Sequence, residues 1–185
     1  MKKLLLVLLA AALAPIAVSA QQSAAQPSAT PEANPVSNAL RAIVARQSRV
    51  VVAAADEMPA EKYSFHPTPD QISFGKLVAH MATSNFGLCA TISGVTAPKQ
   101  DDLKETDPKD KLQPALQSSF DFCSQAVTNL QDSKLGDTIT FFGGRKTPRA
   151  RAVLELVADL ADHYSQMASY LRLNGMLPPS AQPRK

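Results

Sequence analysis

Apolar positions recur along this chain at helical spacing in four separate stretches, and almost nowhere in the alternating pattern of a half-buried strand. In Val36–Ala55, Leu40, Ile43, Val44, Val50, Val51 and Ala54 fall largely on one side with arginines on the other, which predicts a first helix ended by Met58-Pro59. The second stripe is Phe74, Leu77, Val78, Met81, Asn85, Leu88, Cys89 and Ile92, stopping at Gly94. The third is Leu112, Leu116, Ser119, Cys123, Val127 and Leu130. The fourth is Val153, Leu156, Val157, Leu160, Tyr164, Met167 and Leu171, ending at Gly175 before Pro178-Pro179.

Punctuation between the stripes supports this division. Thr68-Pro69-Asp70-Gln71 has the order of a capping box with proline at the first helical position and predicts the start of the second helix. Asp107-Pro108 and Thr147-Pro148 repeat the cap-plus-proline device before the third and fourth. Tyr63 to Pro69 reads as an extended connector, because residues before proline avoid the α region. Thr138–Phe142 has strand composition but no evident partner, so an extended loop packed by Phe141 and Phe142 and broken by Gly143-Gly144 is expected. The fold class predicted is all-α, a four-helix bundle with a long connection between the third and fourth helices.

Before the bundle the pattern changes character. Lys2-Lys3, an apolar run from Leu4 to Val18 and then Ser19-Ala20 have the order of a cleavable secretory signal, predicted to end at Ala20. The run is too short for a stable membrane span. Residues 21–35 are rich in Gln, Ser, Ala and Pro and read as a disordered tether, residues 36–179 as the folded domain, and 180–185 as a disordered tail. The expected location is outside the cytoplasm, periplasmic or secreted. There, Cys89 and Cys123, both on the inward stripes of their helices, are expected to form a disulfide between the second and third helices, the alternative being two buried free thiols that act as small apolar residues.

Losing Lys2 and Lys3 lowers the formal charge from +3 to +1, which argues against a nucleic-acid-binding surface. The candidate chemistry lies beside the apolar stripe of the fourth helix, where Asp159, His163, Gln166 and Tyr170 fall at i, i+4, i+7 and i+11 on one edge. Asp159 and His163 have the one-turn spacing with which two side chains of a helix grip one ion. On the second helix His80 has small neighbours at Ser73, Ser84 and Gly87. If the two helices face each other, His80, Asp159 and His163 form a two-histidine, one-carboxylate set suited to a divalent ion. By spacing alone an Asp/His pair is usually a solvated side-chain contact and a lone helix histidine a hydrogen-bonded or surface residue. His66, in the connector, reads as packed or solvent-facing, and Glu155 as a surface acid.

Two segments, Phe74-Gly75 through His80 to Asn85 and His163-Tyr164 through Gln166 and Tyr170 to Pro179, resemble the signature helices of the DinB-like superfamily. Tyr63–Pro69 and Phe141–Gly144 resemble the connectors that precede them. The resemblance covers nearly all of residues 36–179 and implies an up-down four-helix bundle, often a homodimer. It also implies one divalent metal ion (Zn, Ni or Fe) held by a histidine of the second helix and an i, i+4 pair on the fourth. His80 and His163 match two of those positions, and Asp159 stands where the family usually has histidine. Ser84, Gln166 and Tyr170 would then line a pocket for a small-molecule substrate, and Lewis-acid activation of a thiol or water, in a hydrolase or transferase, would be the chemistry implied. The other reading that the sequence leaves open is a non-catalytic helical module that binds a ligand or partner.

Overall fold

The computed structural model describes residues 31–183. The expected secretory signal and most of the expected tether lie outside them. Four helices carry the fold: α1 Pro35–Glu57, α2 Phe74–Ser93, α3 Lys109–Ala126 and α4 Arg149–Leu173. α1 and α2 each pack against both α3 and α4, so the four stand as a square with α1 and α2 on one diagonal. Two long connections, residues 58–73 and 127–148, therefore cross the ends of the bundle. Among the described residues, no helix is long and apolar enough to cross a membrane.

The predicted stripes meet in one core. Leu40, Val44 and Val51 of α1, Phe74, Leu77, Met81 and Ile92 of α2, Leu112, Leu116 and Phe120 of α3, and Leu156, Leu160, Met167 and Leu171 of α4 are all buried. Each large apolar side chain removed from water contributes roughly 1.5–3 kcal/mol, and this burial is the main term holding the helices together. Within the core Cys89 and Cys123 are joined in a disulfide with their Cα atoms 5.2 Å apart, tying α2 to α3 as expected. One turn before Cys89, Asn85 donates its amide to the Ser119 hydroxyl at 3.0 Å, a buried polar link across the same seam.

Helix starts differ from those the cap signals predict. α2 begins at Phe74, capped by the Ser73 side chain accepting from the Lys76 amide at 3.0 Å. Thr68–Gln71 is a turn in the connector instead, closed by the Gln71 amide on the Thr68 carbonyl. The reason is tertiary: the Phe74 amide donates to the Phe65 carbonyl and the Gly75 amide to that of Tyr63, pinning the connector across the helix start. A Cβ at Gly75 would lie 3.0 Å from the Glu105 carbonyl oxygen and 3.2 Å from that of Tyr63, so only glycine permits this approach. Likewise Pro108 precedes α3 instead of occupying its first turn, and Asp107 accepts from the Lys104 amide rather than capping the helix.

The expected loop at Thr138–Phe142 is a correction of a larger kind. Thr138–Thr140 (β1) pairs antiparallel with Lys146–Pro148 (β2), with Ile139 opposite Thr147. Gly143 and Gly144, at φ 69° and 75°, fold the chain back, so the missing partner is the segment read as a helix cap. Thr147 does not cap α4. The first two amides of that helix, Arg149 and Ala150, donate to the carbonyls of Asp137 and Leu135.

The described residues after α4 fold back onto the bundle. Pro179–Ala181 forms a 3-10 turn, the Ser180 amide donates to the Tyr164 hydroxyl, and Gln182 bonds to Glu57 of α1. At the opposite end of α1, Asp132 accepts from the Val36 and Ser37 amides and from the Ser37 hydroxyl. This is an N-cap supplied from about a hundred residues away, and the first turn of α1 has no acid of its own.

Candidate functional site

α2 and α4 converge along an edge where the bundle is open. His80 projects from α2, and Asp159 and His163 from successive turns of α4. One ligand-capable atom from each lies within 4.8 Å of the other two. The His80 Nε2 to Asp159 Oδ1 distance is 4.0 Å, and the His163 Nδ1 to Asp159 Oδ1 distance is 3.7 Å. The three residues expected from sequence are thus together in space.

Their environments differ. His163 and Asp159 are largely covered, with side chains 14% and 21% exposed, whereas that of His80 is 46% exposed. His163 donates Nδ1–H to the Asp159 backbone carbonyl at 2.8 Å, which fixes its tautomer and leaves Nε2 as the free lone pair. Asp159 Oδ2 is buried with no hydrogen-bond partner. An unsatisfied buried carboxylate oxygen costs free energy, and a cation beside it would remove that cost. Burial pushes the Asp159 carboxyl above its ordinary value, while the two histidines pull it back. Burial, then the neighbouring His163, holds the His80 imidazole below its ordinary value against the pull of Asp159.

The imidazoles of His80 and His163 stack, centroids 4.7 Å apart and planes 20° from parallel. Stacked rings direct their in-plane lone pairs side by side, so gripping one ion requires a ring to turn. His80, the exposed member, has the freedom to do so; the Ser84 hydroxyl lies 3.3 Å from its Nε2. Donors held about 2.1 Å from a tetrahedral ion lie about 3.4 Å apart. The 4.0 Å between His80 Nε2 and Asp159 Oδ1 is within a side-chain adjustment of that, whereas the 3.7 Å approach of His163 is by Nδ1, the nitrogen its backbone bond occupies. Two imidazoles and a carboxylate with an orphaned oxygen therefore fit a divalent ion.

The triad forms one wall of a cleft of about 480 Å³, within the size range of small-molecule sites. Ser84 lines it, as expected. Gln166 and Tyr170 do not. Gln166 donates its amide to Asp162 Oδ2 at 2.8 Å. Tyr170 is buried, its ring against Phe65 and Phe74 and its hydroxyl donating to the Ile72 carbonyl at 2.9 Å. The two share an edge with His163 but lie further along the helix, and the connector that crosses the bundle end covers Tyr170. His66 is outside the cleft, its Nδ1 bonded to the Gln71 carbonyl.

Sequence patterning missed the opposite wall. Phe141, Phe142 and Arg145 reach the cleft from the β1–β2 hairpin, and Asp162 and Glu155 from α4. The ring of Phe142 lies against α2 at Gly87, where a Cβ would sit 3.5 Å from it. The signal available was the small residue one turn after Ser84, the kind of space a neighbouring ring occupies. Glu155, expected as a surface acid, is held by Arg151 at 2.6 Å and borders the cleft.

Comparison with known proteins identifies the family and the fold. The family model of the DinB superfamily matches residues 43–167. A crystal structure of a DinB-like protein from Bacillus cereus ATCC 10987 aligns with TM-score 0.63 at 16% identity, over 77% of this chain and 95% of that one. The DinB-like protein YjoA from Bacillus subtilis aligns with TM-score 0.63 at 20% identity, over 80% and 100%. A histidine-to-alanine mutant of a mycothiol-dependent maleylpyruvate isomerase aligns with TM-score 0.58 at 11% identity, over 71% of this chain and 60% of that protein. At these identities the likeness is one of fold. Among curated proteins none matches.

Proposed function

Because the chain belongs to the DinB superfamily, we propose that it is an exported protein that holds one divalent metal ion at His80, Asp159 and His163 and uses it in a hydrolase or transferase reaction. The observation that carries the reading is the buried, unpartnered Asp159 Oδ2 set beside two imidazoles. When bound, the ion supplies Lewis-acid activation of a thiol or water. Use of a thiol on this fold has a precedent in the maleylpyruvate isomerase neighbour, which is mycothiol-dependent.

The residues of the chain have separable parts in this. The bond from His163 Nδ1 to the Asp159 carbonyl holds the ring in the tautomer that can ligate. Asp159 brings a negative charge where a neutral histidine would otherwise stand, which makes the set harder and favours Zn²⁺ or Fe²⁺ over softer ions. Leu88, Phe141 and Phe142 give the cleft its apolar lining. Export is supported by the order of Lys2-Lys3, apolar run and small residues and by the paired cysteines, a bridge that persists in oxidising compartments.

The test is metal stoichiometry of the untagged exported form, with Zn²⁺, Ni²⁺ and Fe²⁺ offered in turn by equilibrium dialysis. One ion per chain is expected, lost in His80→Ala and His163→Ala at unchanged melting temperature. Substoichiometric metal that does not rebind on titration overturns the proposal. Stoichiometric metal without turnover of thiol or ester substrates leaves the bundle as a non-catalytic metal-dependent binding module.

A further inference from the structure

The hairpin that walls the cleft also carries an unusual concentration of cations. Residues 145–151 read Arg-Lys-Thr-Pro-Arg-Ala-Arg. Three of the four cations, Arg145, Lys146 and Arg151, line a notch of about 90 Å³ together with Phe141 and Thr147. The notch adjoins the metal cleft, because Arg145 and Phe141 line both.

The charges in the notch are not balanced. Arg151 is engaged by Glu155 through two short contacts, 2.6 and 2.7 Å. Arg145 has no carboxylate within ion-pair distance among the described residues. Its guanidinium lies 5.8 Å over the Phe141 ring, and Nε reaches only the Phe142 carbonyl at 3.5 Å. Lys146 donates to the neutral Thr140 hydroxyl at 2.6 Å and likewise has no acidic partner among the described residues. Of the three cations only Arg151 is paired with a carboxylate, although Asp159 and Asp162 line the adjoining cleft together with Arg145 beyond ion-pair distance. The positions are fixed by backbone: the Phe141 amide donates to the Arg145 carbonyl at 2.7 Å, and Thr140 pairs with Lys146 in the ladder. A guanidinium held over an aromatic ring and short of acceptors is arranged to take a planar carboxylate through two parallel hydrogen bonds.

The geometry points to a carboxylate subsite: the notch of Arg145, Lys146 and Arg151 binds the carboxylate of a small substrate whose reacting group lies in the cleft at His80, Asp159 and His163. The subsite deepens the metal-centre reading, and its contact with the reacting group rests on that reading; the electrostatics of the notch do not. Substrates of this shape are short-chain acids carrying a metal-binding head, and neutral analogues of the same length are the competitors the notch discriminates against.

Two arms separate the subsite from the metal. In the first, the metal-free exported protein is titrated with succinate and followed by ¹⁵N NMR. Saturable shifts confined to Arg145, Lys146 and Arg151 are expected, and they weaken as salt is raised. Absent shifts, or shifts spread over all surface cations, overturn the subsite whatever the metal does. In the second arm the Zn²⁺-loaded protein is titrated with an aliphatic hydroxamate bearing a terminal carboxylate and with its terminal amide. The acid is expected to bind about three- to five-fold tighter, the range for an exposed charge pair. That preference disappears in Arg145→Gln and in Lys146→Gln while amide affinity and melting temperature hold. Equal affinities of acid and amide for the unsubstituted protein, or a loss shared by both probes in the variants, overturn the proposal. Failure of Zn²⁺ to bind, with the succinate shifts intact, counts against the metal reading alone.

Discussion

α2 packs differently on its two sides. Toward α3 it is closed: Cys89 is bonded to Cys123, the Asn85 amide donates to Ser119 while its own Oδ1 is buried without a partner, and Leu116 and Phe120 are fully buried. Toward α4 it is open at one edge: His80 is half exposed, Asp159 Oδ2 has no partner, and Gly87 is covered only by a ring from a hairpin. The tied seam and the open edge each include one buried oxygen without a partner, Asn85 Oδ1 in the seam and Asp159 Oδ2 of α4 at the edge, but only the second stands beside two imidazoles and a cleft. Stability and candidate chemistry are assigned to opposite faces of one element, and the two can be perturbed independently.

The largest effect should come from the closed side. Phe120→Ala on α3 empties a fully buried site and is expected to cost about 3–5 kcal/mol in urea unfolding. Metal affinity measured below the transition should be unchanged; a shift would show the two faces to be coupled. Next comes the disulfide, whose removal in the double variant Cys89→Ala, Cys123→Ala releases a loop of 34 residues. The loop-entropy relation gives a loss of about 4 kcal/mol, readable in the same unfolding assay.

Asp132→Asn tests a third place, the remote cap of α1. Partial dehydration would raise this carboxyl, but the Ser37 hydroxyl, the Val36 and Ser37 amides and Arg41 outweigh it and hold it below the ordinary carboxylate value. A folded-state value below the unfolded one means that the carboxylate stabilises the protein above about pH 4, and the contribution fades as pH falls through the folded value. The variant should therefore melt lower than the parent at pH 7, and the two midpoints should converge as pH falls below the lowered value of this carboxyl. A gap that persists at low pH would mean that charge is not what the cap uses.

The smallest stability effect is expected on the open edge. Asp159→Asn removes a charge whose second oxygen has no partner, so the metal-free protein should change by less than about 0.5 kcal/mol. Its metal stoichiometry should nevertheless fall. Loss of several kcal/mol in the metal-free variant would show Asp159 to be a structural strut, and the contrast between the two faces of α2 would fail.

The four helices were legible because an amphipathic stripe is a local record of which side is buried, and the stripes of Phe74–Ile92 and Val153–Leu171 are long enough to leave little ambiguity. Helix starts were less so. Thr68-Pro69-Asp70-Gln71 carries the chemistry of a cap, yet the Phe74–Phe65 and Gly75–Tyr63 backbone bonds set the start later. A cap signal states only that a turn of helix could begin there, and contacts from a distant segment decide whether it does.

The site divides along the same line. The one-turn spacing of Asp159 and His163, and the face on which His80 lies, are local and were available from the chain alone. So was the inward placement of Cys89 and Cys123. The hairpin was not, because β1 finds its partner across a glycine turn that reads equally as a break, and with it went Phe142 and Arg145 as a wall of the cleft. Tyr170 shows the converse: it shares an edge with His163, but its height along α4 puts it beneath the connector, with its hydroxyl on Ile72. Periodicity fixes the direction in which a side chain points. Which element arrives to meet it, and at what level along the helix, is decided by the packing of segments far apart in sequence.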